Sequence, residues 1–247
     1  MEQAKLALSA AALAAQTILE CSGEIYRAEE TAIRMCEAFG LGQAEIMCFP
    51  TGFMLCVQTQ GGESLTRIKR VRDRSIQLQT LDEVNTISRA SAAQLMTPEQ
   101  ALHALEQLRN GPRPRHALMA LAYAASAGFF SVMFGGGWLE FLLTFLAGGL
   151  TQGLVPLFRR LNAAAPLVSL ACGFVAAASS LVLLGIAGGN QEAVISGAIM
   201  PLLPGLAITN AVRDTMRGDL VAGMARTTEA LLSAVLLAAG VAVALML

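Results

Sequence analysis

The spacing of hydrophobic positions changes character along this chain, and each change predicts a different element. Residues 2–20, EQAKLALSAAALAAQTILE, are dominated by helix formers and predict a packed amphipathic helix that breaks at Gly23. A second helix follows from about Ile25 to Phe39, with Glu30 and Arg34 at the favourable i,i+4 spacing and Gly40 and Gly42 to end it. From Ala44 to Arg72 the pattern shortens to runs such as EIMCF and FMLCVQT, bounded by Pro50-Thr51-Gly52 and Gly61-Gly62. That predicts a small antiparallel sheet. Helices return at about 75–95 and again from Thr97-Pro98-Glu99-Gln100, where an N-cap hydroxyl, a proline at N1 and a glutamine at N3 mark a helix start. This last helix reaches about Arg109 and stops at Asn110-Gly111-Pro112.

Beyond Arg113 and Arg115 the apolar runs lengthen to roughly the 20 residues that a bilayer core requires. Spans are predicted at about 117–134, 139–158, 165–187, 193–212 and 227–246. Gly135-Gly136-Gly137-Trp138 makes the first turn, with an interfacial tryptophan, and Gly188-Gly189-Asn190-Gln191 makes the third. Gly149-x-x-x-Gly153 and Gly185-x-x-x-Gly189 predict close helix approach.

Composition sharpens this division. Of 247 residues, 55% are hydrophobic and 14% charged, with a mean hydropathy of +0.57; a soluble protein carries about a quarter charged residues. Residues 1–115 hold 25 of the 35 charges, 12 basic and 13 acidic. The predicted architecture is therefore a membrane protein: a cytoplasmic α+β domain over residues 1–115, then a transmembrane domain of five helical spans over 116–247. The first helix is not a signal sequence, because Glu2 cancels Lys5 and no basic cluster precedes it. Arg113/Arg115, Arg159/Arg160 and Arg213/Arg217 flank alternate turns, which places those turns and the N-terminal domain in the cytoplasm and the C-terminus outside.

A net charge of −1 offers no basic excess for a nucleic-acid backbone. Cys21, Cys36, Cys48, Cys56 and Cys172 form no C-x-x-C, and with His103 and His116 they give no metal-ligand spacing; no cofactor is implied. Walker A, G-x-G-x-x-G and G-x-S-x-G patterns are absent from the sequence. Arg67, Lys69, Arg70, Arg72 and Arg74 read as a solvated face, with attraction to anionic lipid as the alternative. Glu20, Glu24, Arg27, Glu30 and Arg34 around Gly23 read as an ion-pair network.

The candidate chemistry sits between Ile199 and Glu229, where prolines interrupt an apolar span and polar groups gather. Pro201 and Pro204-Gly205 free backbone groups and let a ligand approach the chain. If helical, Asn210, Arg213, Asp214 and Arg217 share one face at i, i+3, i+4 and i+7. Pro201, Pro204, Gly205, Thr209, Asn210, Arg213 and Arg226 are the candidate substrate-binding residues, the arginines as bidentate holders of a carboxylate. Asp214, Asp219 and Glu229 would hold an ammonium or, once desolvated, carry a coupling proton. The competing reading makes 213–226 a plain cytoplasmic loop.

Several segments resemble motifs of the threonine/serine exporter family. They are Glu20-Cys21-Ser22-Gly23-Glu24-Ile25-Tyr26-Arg27-Ala28-Glu29-Glu30, Pro50-Thr51-Gly52, Val84-Asn85-Thr86-Ile87-Ser88-Arg89 and Phe134-Gly135-Gly136-Gly137-Trp138. The longest runs from Ile199 to Asp214 and on through Gly218-Asp219-Leu220. The resemblance implies a proton-driven secondary exporter of small polar metabolites in the bacterial inner membrane. With five spans the chain resembles the split form of the family, which implies an oligomer with a second small membrane protein. Threonine, serine and dicarboxylates such as succinate are the implied cargoes, and two arginines beside acidic residues leave that choice open. The rival from another class is a non-transporting scaffold or sensor that works through its N-terminal domain. An intramembrane hydrolase is weaker still, lacking a nucleophile–base pair at usable spacing.

Overall fold

Alanine sets the packing of the N-terminal segment. In the computed structural model, which describes residues 2–59, 62–111, 116–161 and 164–247 apart from the Arg159 side chain, α1 spans Glu2–Glu20. The expectations placed on Gly61, Pro112, Arg113, Arg115 and the Arg159 side chain lie outside the described residues. Helix α1 buries Ala7, Ala10, Ala11, Ala14 and Ala15 together with Ile18 and Leu19. Such small side chains let α2 (Ile25–Ala38) and α4 (Pro98–Asn110) pack closely along it. The turn into α2 is tight: Gly23 N–H donates to Ile18 O at 2.9 Å. A Cβ on Gly23 would lie 2.6 Å from Ile18 Cγ2 and 3.0 Å from Leu81 Cδ2, so only glycine fits.

Strands β1 (Ala44–Phe49), β2 (Gly52–Gln58) and β3 (Ser64–Arg70) form an antiparallel sheet in that order. Its register pairs Phe49 with Gly52 and Leu55 with Arg67. Alternation sends Phe53, Leu55 and Val57 inward and leaves Met54 exposed. Helix α3 (Leu78–Ala92) adds Leu81 and Val84 to the same core. The capping box at α4 forms as the sequence predicts: Gln100 N–H donates to Thr97 Oγ1, and Thr97 N–H to Gln100 Oε1.

The chain divides into two compact units, Met1–Pro112 with Leu206–Thr227, and Arg113–Gly205 with Thr228–Leu247. The first therefore takes in α9 (Gly205–Met216), save its first residue, and the opening turns of α10 (Leu220–Leu245), whose Ala222 joins the N-terminal core.

The second unit holds α5 (His116–Met133), α6 (Trp138–Arg160), α7 (Ala165–Ala187), α8 (Gln191–Ile199), a single 3-10 turn (Met200–Leu202) and the remainder of α10. Among the described residues four helices, α5, α6, α7 and α10, are long and apolar enough to cross a membrane. The count reaches five if α8 with its turn and α9 form one broken span. Only 22–28% of the apolar stretch of each of the four is buried, so their leucines, valines and phenylalanines present an apolar exterior.

Some expectations change. The segment 213–226 is not a loop: α9 runs to Met216, α10 begins at Leu220, and Arg217, Gly218 and Asp219 alone separate them. Gly218 at φ +93° makes so short a turn possible, and Asp219 N–H donates to Asp214 O at 3.0 Å. The last helix thus starts earlier than its apolar run implies. Close helix approach falls only in part on the predicted glycines. A Cβ on Gly149 would lie 3.4 Å from Ala124 Cβ and one on Gly189 3.0 Å from Glu140 Oε1, but Gly153 and Gly185 meet nothing within 4 Å, whereas Gly197 lies against Ser131 and Gly173 and Gly240 lie against the backbone at Leu237 and Leu170.

Candidate functional site

Two prolines interrupt the apolar segment that precedes α9. Pro201 lies in the 3-10 turn, and Leu203, ahead of Pro204, is extended at ψ 137°. Proline lacks the N–H that would continue a helix and disfavours the helical conformation in the residue before it. Helix α9 then restarts at Gly205 and carries its polar residues at helical spacing.

Those residues meet the turn between α1 and α2. A helix end leaves carbonyls without partners at its C-terminus and N–H groups without partners at its N-terminus. The last carbonyls of α1, Thr17 to Glu20, are met by backbone N–H groups, whereas the turn after it and the first N–H of α2 are met by side chains about 190 to 200 residues further on. Asn210 Nδ2 donates to Ser22 O at 3.0 Å, and Arg226 Nη2 donates to Gly23 O at 2.6 Å. At the start of α2, Ile25 N–H donates to Asp214 Oδ1 at 3.2 Å. The signs agree with the helix dipoles, a cation at the end of α1 and a carboxylate at the start of α2. Asp214 Oδ2 lies 3.2 Å from Arg226 Nε, which closes the arrangement. Asp214 is 0% exposed, Arg226 5% and Asn210 7%, so this is a buried ion pair with a hydrogen-bonded frame.

A more exposed layer surrounds it. Glu24 pairs with Arg213 and also with Arg27, the latter at 3.3 Å. The Arg217 guanidinium sits 4.3 Å above the Tyr26 ring. Glu29 accepts from Cys48 N–H at 2.9 Å. Its carboxyl is raised above the ordinary range by burial first; the Cys48 N–H opposes the shift, and Asp219 and Asp214 add to it. Burial, Glu29 and Asp219 likewise push the Cys48 thiol up. Glu29, Asp214 and Asp219 thus act on one another electrostatically inside the first unit.

Of the residues singled out in the sequence, Asn210, Arg213, Asp214 and Arg226 come together. Asp219 lies between α9 and α10 beside them in sequence, half-buried, and Thr209 is on the exposed side of α9. Pro201, Pro204, Gly205 and Glu229 fall in the second unit. Sequence reasoning missed Ser22, Gly23, Ile25, Tyr26 and Glu29 as partners. The signal available is a charged cluster around a glycine at a helix junction: its ion pairs Glu24–Arg27 and Glu30–Arg34 form as the sequence predicts, and Glu24 extends the set to Arg213. The Tyr123 and Thr144 hydroxyls of the second unit are also buried with no hydrogen-bond partner among the described residues.

In that unit Glu140 plays a different part. Its two oxygens accept from Gly137 N–H at 2.7 Å and Asn190 N–H at 3.0 Å, tying two turns together. Asn190 in turn caps α8 by accepting from Glu192 and Ala193 N–H. Among the described residues no three His, Cys, Asp or Glu side chains gather as metal ligands would.

With this geometry in place, comparison with known proteins is decisive on one point. The family model described as "Putative threonine/serine exporter" matches residues 9–247. The chain belongs to that family. It is similar to a Klebsiella aerogenes protein called "Probable succinate transporter subunit YjjP", 25% identical over 92% of this chain and 88% of that one. The Escherichia coli K12 protein of the same description is also 25% identical, over 92% of this chain and 89% of its own length. A Mycobacterium tuberculosis protein described as "Probable threonine/serine exporter" is 24% identical over 74% of this chain but only 34% of its own. No solved structure matches. Family membership and the four long apolar helices make this a membrane protein of an exporter family.

Proposed function

We propose that the chain is one subunit of a proton-coupled secondary exporter of small polar metabolites, threonine and serine or a dicarboxylate such as succinate. It sits in the bacterial inner membrane with its N-terminal domain cytoplasmic, its C-terminus outside, and a second small membrane protein completing the transporter. The subunit reading is supported by relatives of nearly the same length that are described as transporter subunits, and by a longer relative of which this chain spans about a third.

The observation that carries the mechanism is the fully buried Asp214–Arg226 pair just beyond the proline break. A guanidinium held by a carboxylate is a ready binder for another carboxylate. Protonation of Asp214 removes the charge that holds Arg226, and a passenger carboxylate then takes its place. Deprotonation reverses the exchange and expels the passenger. The Asp214 carboxylate and the passenger carboxylate thus compete for one arginine, which couples passenger binding to the protonation of Asp214. Pro201, Pro204, Gly205 and Thr209 are further substrate-binding candidates, and Asp219 and Glu229 further proton-handling candidates. Glu24 and Arg213 brace the α1–α2 turn against α9.

The test is a flux assay in liposomes under an imposed pH gradient, with threonine, serine and succinate, with and without the second membrane protein. Substrate movement that follows the gradient and is abolished in Asp214→Asn supports the reading. Gradient-dependent flux unchanged in Asp214→Asn removes Asp214 from the proton role, and no flux of any of the three refutes the assignment.

A further inference from the structure

Two stretches within the segments that resemble family motifs, Tyr26–Glu30 and the segment ending at Arg89, have no place in the exchange described above. They meet at an open surface pocket of about 340 Å³ on the first unit, lined by Tyr26, Arg27 and Arg34 from α2 and by Asn85, Ser88 and Arg89 from α3. Ligand sites for small molecules begin at about this volume.

The chemistry of the lining is lopsided. Three guanidinium groups face one carboxylate, Glu30, and Arg34 already holds that carboxylate at 2.7 Å. Arg27 reaches Glu24 with one nitrogen, and Arg89 uses Nε on the Asn85 carbonyl at 3.3 Å. The terminal nitrogens of Arg89 have no partner among the described residues. Ser88 is the second sign of a ligand. Its hydroxyl is buried, the residue being 2% exposed, and has no hydrogen-bond partner among the described residues. A buried hydroxyl left unmatched is costly, and Ser88 is among the residues that line the pocket.

We infer that this pocket is a binding site for a small organic dianion of the dicarboxylate class, held by Arg89 and Arg27 with Ser88 and Asn85 as neutral donors. Guanidinium forks match carboxylates bidentately, and a lining with a net excess of two positive charges favours two carboxylates over a zwitterion. The ammonium of an amino acid would meet three arginines and no uncommitted carboxylate. The site also lies one contact from α9: Arg27 shares Glu24 with Arg213, and Tyr26 lies under Arg217. It is nonetheless distinct from the Asp214–Arg226 pair, so it stands or falls apart from the transport assignment.

Isothermal titration of the purified full-length chain in detergent tests it, with succinate, threonine and inorganic phosphate as probes. Succinate is expected to bind saturably, about tenfold or more weakly in Arg89→Ala, as loss of a charge-assisted hydrogen bond implies. Ser88→Ala is expected to weaken it several-fold while leaving the melting temperature unchanged or higher, since that change removes an unmatched polar group. Succinate binding that is absent, or indifferent to Arg89→Ala, overturns the inference, as does Arg89-dependent binding of threonine or phosphate as tight as that of succinate. Arg89-dependent binding without any liposome flux leaves this site intact and refutes only the exporter assignment.

Discussion

Asp214 and Glu140 are carboxylates that each bind separate turns into one unit, and they do so under opposite conditions. Glu140, at the start of α6, spends both oxygens on backbone N–H groups of two turns. Asp214 spends one oxygen on a backbone N–H and leaves the other to the guanidinium of Arg226, with no exposed surface at all. A carboxylate filled by backbone donors is a fixed staple, because those donors cannot leave. One that depends on a side chain for half its charge has a partner that can be withdrawn. Burial adds a penalty for any unpaired state, so the Asp214 pair is the one able to register the arrival of a proton or a competing anion.

The largest test of this contrast is Arg226→Ala. It leaves Asp214 charged and enclosed without its cation, which is expected to cost about 3–5 kcal/mol of stability. Thermal melting in detergent measures it. Adding Asp214→Asn should recover much of the loss, because the stranded charge is then gone. A double variant no more stable than Arg226→Ala alone would show that Arg226 acts mainly through Gly23 O.

Next in size is Gly223→Ala. A Cβ at Gly223 would meet Thr215 Oγ1 and lie 3.0 Å from Ala211 O, so α10 could not hold its distance from α9. Overpacking of this kind costs about 1–3 kcal/mol, and Thr215→Ala in the same chain should relieve part of it. Gly153→Ala and Gly185→Ala, with nothing within 4 Å, should be neutral or stabilising by up to about 1 kcal/mol. Glu140→Ala follows. It should lower the melting temperature less than Arg226→Ala, since the N–H groups it abandons are open to other acceptors at an exposed turn. A drop as large as that of Arg226→Ala would erase the contrast between the two carboxylates.

What the sequence made legible follows from range. The capping box at Thr97, the alternation of β2 and the lengths of α5, α6 and α7 are local patterns, and each appears where its residues predict it. The break at Pro201 and Pro204 was legible for the same reason, because proline acts on its own neighbours. The partner of Asp214 at Ile25 is 189 positions away, and no local period says which turn a buried carboxylate will find. For that reason the span predicted at about 193–212 takes in the first two turns of α9 with no sign that the helix's polar face lies against the α1–α2 turn. Glu140 shows the same limit on a smaller scale. Its place at a helix start was readable, but its hold on the turn at Asn190, 50 positions on, was not.

Glu29 falls between the two extremes and gives the smallest and most diagnostic effect. It is half-buried, accepts one backbone N–H from Cys48, and feels Asp219 and Asp214 rather than a cation. Its folded-state pKa is therefore raised, chiefly by burial, so the folded chain binds its proton more tightly than the unfolded chain does. The sign follows directly: this group favours folding most when the pH is low enough to protonate it, and that contribution is lost as the pH rises from the ordinary carboxylate range through the raised value. Glu29→Gln keeps an oxygen for Cys48 N–H and removes the titration. Its melting temperature should accordingly fall less steeply with pH across that window than that of the parent chain. Parallel profiles would mean that the neighbouring carboxylates leave Glu29 alone, and the electrostatic link from α2 to Asp214 would be gone.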